Sequence, residues 1–446
     1  MLFRSVRPGP IQGDMVHPYL RRRDGLEPVE FPSEELKNIL GKTLGVPLFQ
    51  EQAMQVAIVA AGFTPSEADA LRRSMATFKA QGQVTKFQEK LINGMVAKGY
   101  TREYAGRIFK QLEGFGSYGF PESHAVSFAL LVYVSSWLKC YYPDVFACAL
   151  LNSLPMGFYQ PAQIVIDAQK HGVEMLPVDV NHSTWDHLME AVDHGRYRRI
   201  RLGFRQIGGF KEEEAQLLVA GRTTAGLGSL DGRTTAAYTT IPQLRDAGVS
   251  QMALERLADA DAFCSLGLDR RRALWEVAAL ADRPIALFTG LPAETAFESQ
   301  VSLPVMTASQ HVVQDYASTS LSLKAHPVSF VREKLALLHI LPTGDLAKCR
   351  DGDVVKVAGL VLVRQQPGTA SGVVFITIED ETGTANLVVF HDIFQAYRKV
   401  ILQTRLLMVE GKLQIEGEVV HVIVKHCHNF SPFLRDLVTP ASRDFK

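Results

Sequence analysis

Beyond Asp353 the spacing of apolar residues changes from the three-to-four of a helix to the two of a strand, and this switch restricts the possible folds most. Val354 to Val363, Val373 to Ile378 and Thr384 to Phe390 are β-rich runs separated by turn residues at Pro367-Gly368 and Glu381-Thr382-Gly383. His391 to Val400 reads as a short helix. Arg405 to Leu413 and Val419 to Val424 read as two further strands, joined at Glu416-Gly417. Three strands, a helix and two strands is the order of an OB-fold β-barrel. Phe375 and Phe390 on its central strands, with Arg364, Lys412 and Lys425 nearby, suit base stacking along a single-stranded backbone. Core packing explains at least one of the phenylalanines equally well.

At 446 residues the chain exceeds one ordinary core, and roughly two to four domains are expected. Its 47% hydrophobic and 21% charged residues match folded globular chains and disfavour fibrous or disordered classes. The formal net charge of zero gives no global attraction to nucleic acid, so local distribution carries that argument. Residues 1–110 hold 16 Lys and Arg against 11 Asp and Glu, with a run at Arg21, Arg22 and Arg23 that a solvated face also explains. Cys140, Cys148, Cys264, Cys349 and Cys427 show no C-x-x-C spacing, which fits reduced thiols and predicts no structural zinc. The N-terminus carries no apolar region of signal-peptide type. A cytoplasmic location is therefore expected, and Asn181-His-Ser183 reads as an idle glycosylation sequon. The apolar run from Val126 to Val134, continued to Trp137, is interrupted by serines and ended by Lys139, short of the ~20 residues of a membrane span; it predicts a buried core helix.

From Leu48 to Phe146 the pattern is helical. Phe63-Thr64-Pro65-Ser66-Glu67 is a complete helix start, with Thr64 at N-cap, Pro65 in the first turn and Glu67 closing a capping box. Ala68, Leu71, Met75 and Phe78 follow as a buried stripe. The same helix sets Arg72 and Lys79 on one face, about 10 Å apart along the axis, flanked by Arg73. Forked and point-charge donors suit a triphosphate, and an ordinary solvated face has the same appearance. Residues 155–200 mix strand and loop signals. Residues 202–221 resemble a helix-hairpin-helix through Leu202, Ile207-Gly-Gly-Phe210, Ala215 and Val219, with Lys211 where the motif has its second glycine. Such a hairpin turns the N–H groups of Gly208 and Gly209, with Arg205 and Lys211, toward DNA phosphates. Gly267-Leu-Asp-Arg-Arg-Arg272 offers Arg270 and Arg271 in the same role; either pattern alone also reads as a plain helical turn. Gly221-Arg-Thr-Thr-Ala225 recurs as Gly232-Arg-Thr-Thr-Ala236, a duplicated flexible insertion. Residues 281–345, punctuated by Pro284, Pro292 and Pro304, read as a linker with little core of its own.

Several motifs keep their order and spacing across about 150 residues: Arg7-Pro-Gly-Pro10, Gly13-Asp-Met-Val16, Gly45-Val-Pro-Leu-Phe-Gln-Glu-Gln52, Ala68-Asp-Ala-Leu-Arg-Arg73, Ser123-His-Ala125, Ser136-Trp-Leu-Lys139 and Tyr142-Pro143. Together they resemble the fingers region of bacterial DNA polymerase III α subunits. The resemblance implies a DNA-directed DNA polymerase whose fingers close on the incoming dNTP. Arg72, Arg73 and Lys79 would then contact its triphosphate, with Ser123 and His124 at the pocket edge. For His124, a helix-terminal histidine satisfied by backbone is the alternative. The family places its Mg2+-binding carboxylates, a D-x-D strand motif and a further Asp, before the Arg7-Pro-Gly-Pro10 segment. The chain alone is therefore expected to bind no metal and to be inactive. Asp259-Ala-Asp261 and Asp351-Gly-Asp353 copy the spacing in a helical stretch and a turn, and neither is expected to hold metal.

Only about fifteen residues follow the barrel, where replicative members carry a clamp-loader-binding domain. Pro284-Ile-Ala-Leu-Phe288 lacks the glutamine of a sliding-clamp pentapeptide. With Gly157-Phe-Tyr159, Val178-Asp-Val-Asn-His182 and Leu323-Lys-Ala-His-Pro327, these departures resemble the error-prone, damage-inducible branch. That branch implies translesion synthesis, with primer-template DNA, single-stranded DNA, dNTP and translesion accessory proteins as partners, and no membrane. A stand-alone non-catalytic DNA-binding protein and a fragment of a replicative α subunit are the other readings. The expected architecture is multidomain α+β: fingers at 1–150, a connection at 151–200, a helix-hairpin-helix domain at 201–280, a linker at 281–345, an OB-fold at 346–432 and a tail at 433–446.

Overall fold

The computed structural model describes residues 16–75, 84–114, 121–156, 160–192, 194–224, 238–280, 303–367, 372–417, 419–434 and 443–445. The chain divides into two compact units, Met1–Cys140 and Tyr141–Lys446.

The first unit is helical: α1 (Val16–Arg23), α2 (Glu34–Leu40), α3 (Gln50–Ala61), α4 (Pro65–Met75), α5 (Val84–Ala97), α6 (Arg102–Gly114) and α7 (Glu122–Tyr141). Its core gathers Leu36, Val56, Ala60, Leu71, Leu91, Met95, Ile108 and Leu112. Gly94 permits a close crossing of α5 on the end of α3, because a Cβ there would come within 2.2 Å of the Ala61 carbonyl oxygen. The start of α4 forms as its sequence dictates. The Thr64 N–H donates to Glu67 Oε2 at 3.0 Å and the Glu67 N–H to Thr64 Oγ1 at 3.3 Å. Ala68 and Leu71 are buried, as the stripe requires; the Met75 side chain and Phe78 lie outside the described residues.

Helix α7 departs from its expected burial. None of its residues is buried, and Val126, Leu130, Leu131 and Tyr133 are 65%, 66%, 58% and 71% exposed. Apolar composition sets a preference for burial but does not supply the residues that would cover the helix. No single helix among the described residues is long and apolar enough to cross a membrane.

In the second unit α8 (Pro143–Asn152), α9 (Pro161–Lys170), strands β1 (Met175–Leu176), β2 (Leu188–Glu190) and β3 (Arg199–Arg201), and helices α10 (Glu212–Thr224), α11 (Ile241–Asp246), α12 (Gln251–Asp259) and α13 (Arg270–Ala279) surround one core. Because Ala147, Cys148 and Leu151 of α8 belong to that core, the boundary expected at 150 falls earlier. The Val178-Asp-Val-Asn-His182 segment is a polar knot within it. Asp179 accepts from the Ser265 N–H at 3.1 Å and hydroxyl at 2.8 Å, and Asn181 Nδ2 donates to the Tyr238 carbonyl at 3.0 Å. Asn181 is buried, which closes the sequon to modification.

Residues 303–345 are more than a linker. Helix α14 (Ala308–Thr319) is held to α13 by buried Arg270. Pro327–Val331 and α15 (Arg332–Leu337) lay Val328, Val331 and Leu335 against Ala358, Leu360, Leu406 and Met408 of the barrel. Here Pro304 lies four residues before α14 and Pro327 opens its own helical turn; proline at or before a helix start leaves the following residues free to pack.

The barrel follows the predicted order: β4 (Val354–Gln365), β5 (Val374–Glu379), β6 (Thr384–Val389), α16 (His391–Gln403), β7 (Leu406–Glu416) and β8 (Val419–Asn429). The sheet runs β5-β6-β8-β7-β4 and closes through the β4–β5 pairing. Part of the expected tail, β9 (Arg443–Phe445), adds parallel to β4 at Val363–Gln365. Alternation turns Val357, Ile376, Ile378, Leu387, Val409 and Val422 inward.

Candidate nucleotide and nucleic-acid interfaces

Arg72 and Arg73 are successive residues, so their side chains leave α4 about 100° apart. Asp69, one turn earlier, draws them together. Its Oδ1 accepts from Arg72 Nε at 3.0 Å and Nη2 at 2.8 Å, and its Oδ2 lies 2.9 Å from Arg73 Nη2. The Arg72 hydrogen bond holds the Asp69 carboxyl below the usual carboxylate range. Sequence reasoning named the arginines and missed this carboxylate, although the i, i+3 and i, i+4 spacings signal it. Glu67 is occupied elsewhere: Lys90 first, then the Thr64 N–H, bring its pKa down to about 2. Lys79 lies outside the described residues. Ser123 and His124 stand exposed on the first turn of a separate helix, α7, where the His124 ring packs 4.3 Å from that of Phe128. That turn is anchored by the Glu122 N–H donating to Glu51 Oε2 at 2.9 Å and by the Lys42–Glu122 ion pair.

At the hairpin turn Gly208 is engaged by its own domain on both its N–H and its carbonyl. Gly208 donates its N–H to the Ser318 carbonyl at 2.7 Å, while its own carbonyl accepts from Arg256. Gly209 adopts φ +71°, and a Cβ there would overlap the Arg256 guanidinium at 2.3 Å. Helix α10 opens with Glu212, Glu213 and Glu214, whose charge opposes phosphate binding at its N-terminus. Lys211 is exposed beside them. Arg205 turns inward, donating to the Asn152 and Leu154 carbonyls at 2.7 and 3.0 Å and to Asp186 at 2.6 Å. Arg270 is buried, with its side chain wholly covered, and donates to Asp315 and to the His311 carbonyl; it is a structural residue, not a phosphate contact. Arg271 donates to the Pro304 carbonyl and lines a shallow cleft with Met306, Gln310 and Gln314.

On the barrel, strand register aligns outward residues into two rows. Phe375 on β5 stands opposite Val388 on β6, Val388 pairs with Ile423 on β8, and Ile423 stands opposite Lys412 on β7. Two residues along, about 7 Å away, Thr377, Asn386, His421 and Gln414 align the same way. Phe375 and Phe390 are 39% and 51% exposed, so neither is a core residue. Lys412 and Lys425 are exposed. Arg364 is not: it is buried, and its Nε and Nη2 donate to the Ile401 and Thr404 carbonyls, fastening the end of α16 to β4. Sequence reasoning missed Val388, Ile423, Asn386 and His421, which the outward half of the β6 and β8 alternation marks.

The Asp-x-Asp decoys are engaged structurally. Asp261 pairs with Lys324 at 2.7 Å, Asp351 accepts from the Ile415 N–H at 2.9 Å, and Asp353 accepts from the Arg350 N–H at 2.8 Å. Burial raises the Asp259 carboxyl. Among the described residues no three His, Cys, Asp or Glu side chains are arranged to hold a metal.

A helical first unit, a hairpin domain and an OB barrel define a multidomain α+β protein. The sequence model of the bacterial DNA polymerase III alpha subunit finger domain matches residues 5–99, that of a helix-hairpin-helix motif 172–273, and that of an OB-fold nucleic acid binding domain 355–429. Over 98% of its length the chain is 53% identical to error-prone DNA polymerase 2 of Agrobacterium fabrum and 52% identical to an error-prone DNA polymerase of Sinorhizobium medicae. Over 97% it is 50% identical to an error-prone DNA polymerase of Caulobacter vibrioides. The chain belongs to the bacterial DNA polymerase III α-subunit family, in its error-prone branch. It covers 40%, 40% and 42% of these three relatives.

Proposed function

We propose that the chain supplies the nucleotide and DNA grip of an error-prone DNA polymerase used in damage-induced translesion synthesis. The observation that carries this reading is the match, over 98% of the chain, to proteins named error-prone DNA polymerases. The Asp69–Arg72–Arg73 group on the fingers supports it. In this reading Arg72 and Arg73, with Lys79, receive the triphosphate of the incoming dNTP, and Ser123 and His124 border its pocket. Lys211 and Arg271 touch duplex phosphates of the primer-template, and the outward barrel face with Phe375, Phe390 and Lys412 holds single-stranded template. In this reading the metal-dependent step belongs to the palm of the parent polymerase, and the chain does not polymerise alone. Translesion accessory proteins and a cytoplasmic location belong to the same proposal.

A chimera tests it. The matching segment of the Agrobacterium fabrum relative is replaced by this chain, and primer extension is followed on intact template and opposite an abasic site. Extension by the chimera on both templates, with none by the 446-residue chain alone, is the expected result. A folded chimera that extends neither primer, or robust synthesis by the chain alone, overturns the reading.

A further inference from the structure

We infer that the barrel row Thr377, Asn386, His421 and Gln414 reads the edges of unstacked bases and gives single-stranded DNA binding a base preference. This rests on the proposal that the outward barrel face is the single-strand site. The row is set by backbone register: Thr377 pairs with Asn386, Asn386 with His421, and His421 with Gln414 across β5, β6, β8 and β7. Adjacent members stand about 4.8 Å apart across the strands, and the row lies about 7 Å from the one that carries Phe375. A base stacked on Phe375 therefore has its neighbour, or its own edge, over this row.

The chemistry of the row is suited to bases and not to phosphate. It contains no Lys or Arg; the exposed cations Lys412 and Lys425 lie on β7 and β8 outside it. Its polar groups are also oriented. Thr377 Oγ1 donates to Asn386 Oδ1 at 3.2 Å, which engages one of the two lone pairs of the amide oxygen and leaves the Nδ2 hydrogens as donors for a ligand. Gln414 Nε2 donates to Glu416 Oε1 at 2.9 Å, which leaves its oxygen as an acceptor. Between the two stands the His421 imidazole, with one donor and one acceptor when neutral. A donor, an imidazole and an acceptor in line distinguish bases by their donor and acceptor edges. Stacking on Phe375 accepts every base, because each has a π-face. Affinity and preference thus come from neighbouring rows of one sheet, and substitution separates them.

The test is fluorescence anisotropy of the full chain with dT, dC and dA homo-oligomers of about 16 nucleotides at matched salt. The expected spread between tightest and weakest is about fivefold or more. Asn386→Ala and His421→Ala should each bring that spread below about twofold by weakening the preferred oligomer. Phe375→Ala should weaken all three alike. A wild-type chain with no spread, or a spread that survives both row substitutions, overturns the inference. Tighter binding of the matching RNA oligomer also overturns it, by assigning the row to RNA. If Phe375→Ala and Lys412→Ala leave every affinity unchanged, the single-strand reading of the face fails instead, and the inference fails with it. Circular dichroism melts of each variant confirm that the barrel is folded.

Discussion

Arg270 and Asp315 form an ion pair in which the arginine side chain has no exposed surface and the aspartate 11%. The pair joins α13 to α14, and Asp261 and Lys324 extend it. Removing one member leaves a buried charge without its counter-ion. Asp315→Ala is expected to destabilise the second unit by about 3–5 kcal/mol, read from urea unfolding by tryptophan fluorescence. The affinity of the remaining folded protein for DNA should not change. A phosphate-contact role for Arg270 predicts the reverse: a normal melt and weaker DNA binding for Arg270→Ala.

Arg364 and Lys412 lie on paired strands and should behave oppositely. Arg364→Ala strips two buried carbonyls of their donor and should cost the barrel about 2–3 kcal/mol, with an unchanged salt slope of single-strand binding. Lys412→Ala should leave stability within about 0.5 kcal/mol and lower that slope by about 0.7, the share of one phosphate on single-stranded DNA. Titrations at several salt concentrations separate the two outcomes.

Asp69 occupies the forked donor edge of Arg72 that a phosphate would use. Asp69→Asn is accordingly expected to tighten triphosphate binding by about fivefold, and Arg72→Ala to weaken it, both by isothermal titration calorimetry. Asp69→Glu should bind like the parent. Weaker binding by Asp69→Asn would show that the carboxylate positions the arginines instead of competing for them.

Burial pushes Glu379 up to about 7, where β5 meets α9 and Gln163 Nε2 approaches its Oε2 at 3.3 Å. A raised carboxyl pKa means that the folded protein keeps a proton the unfolded chain releases. The stabilisation is full below pH 4.5 and is lost as pH rises through about 7. Glu379→Gln should therefore flatten the fall in stability up to about pH 8 and raise the melting temperature there. Thermal melts above pH 6.5 isolate this effect. His187 and His326 are held at about 4 by burial, so their contributions are lost only as pH falls below that window.

Features set by neighbouring residues were legible in the sequence. The Thr64–Glu67 box and the strand order of the barrel follow from local pattern alone. Pairings between distant residues were not. Nothing around Arg270 reveals that its counter-ion lies 45 residues away, and nothing around Arg364 reveals the carbonyls of Ile401 and Thr404. A cation on a DNA-binding motif and a cation inside a core have the same letter and similar flanks. For α7, apolarity indicated that the helix favours burial without indicating what covers it. Asp69 is legible at i, i+3 and i, i+4 spacing from the two arginines, because a helix places those positions side by side.

The bridge over residues 303–345, held to the hairpin domain by Asp315 and to the barrel by Val328, Val331 and Leu335, leaves these two domains little room to swing separately. Under the proposed function, two grips at a set separation act as a gauge, and a template engaged by both must span that interval with a defined length of strand.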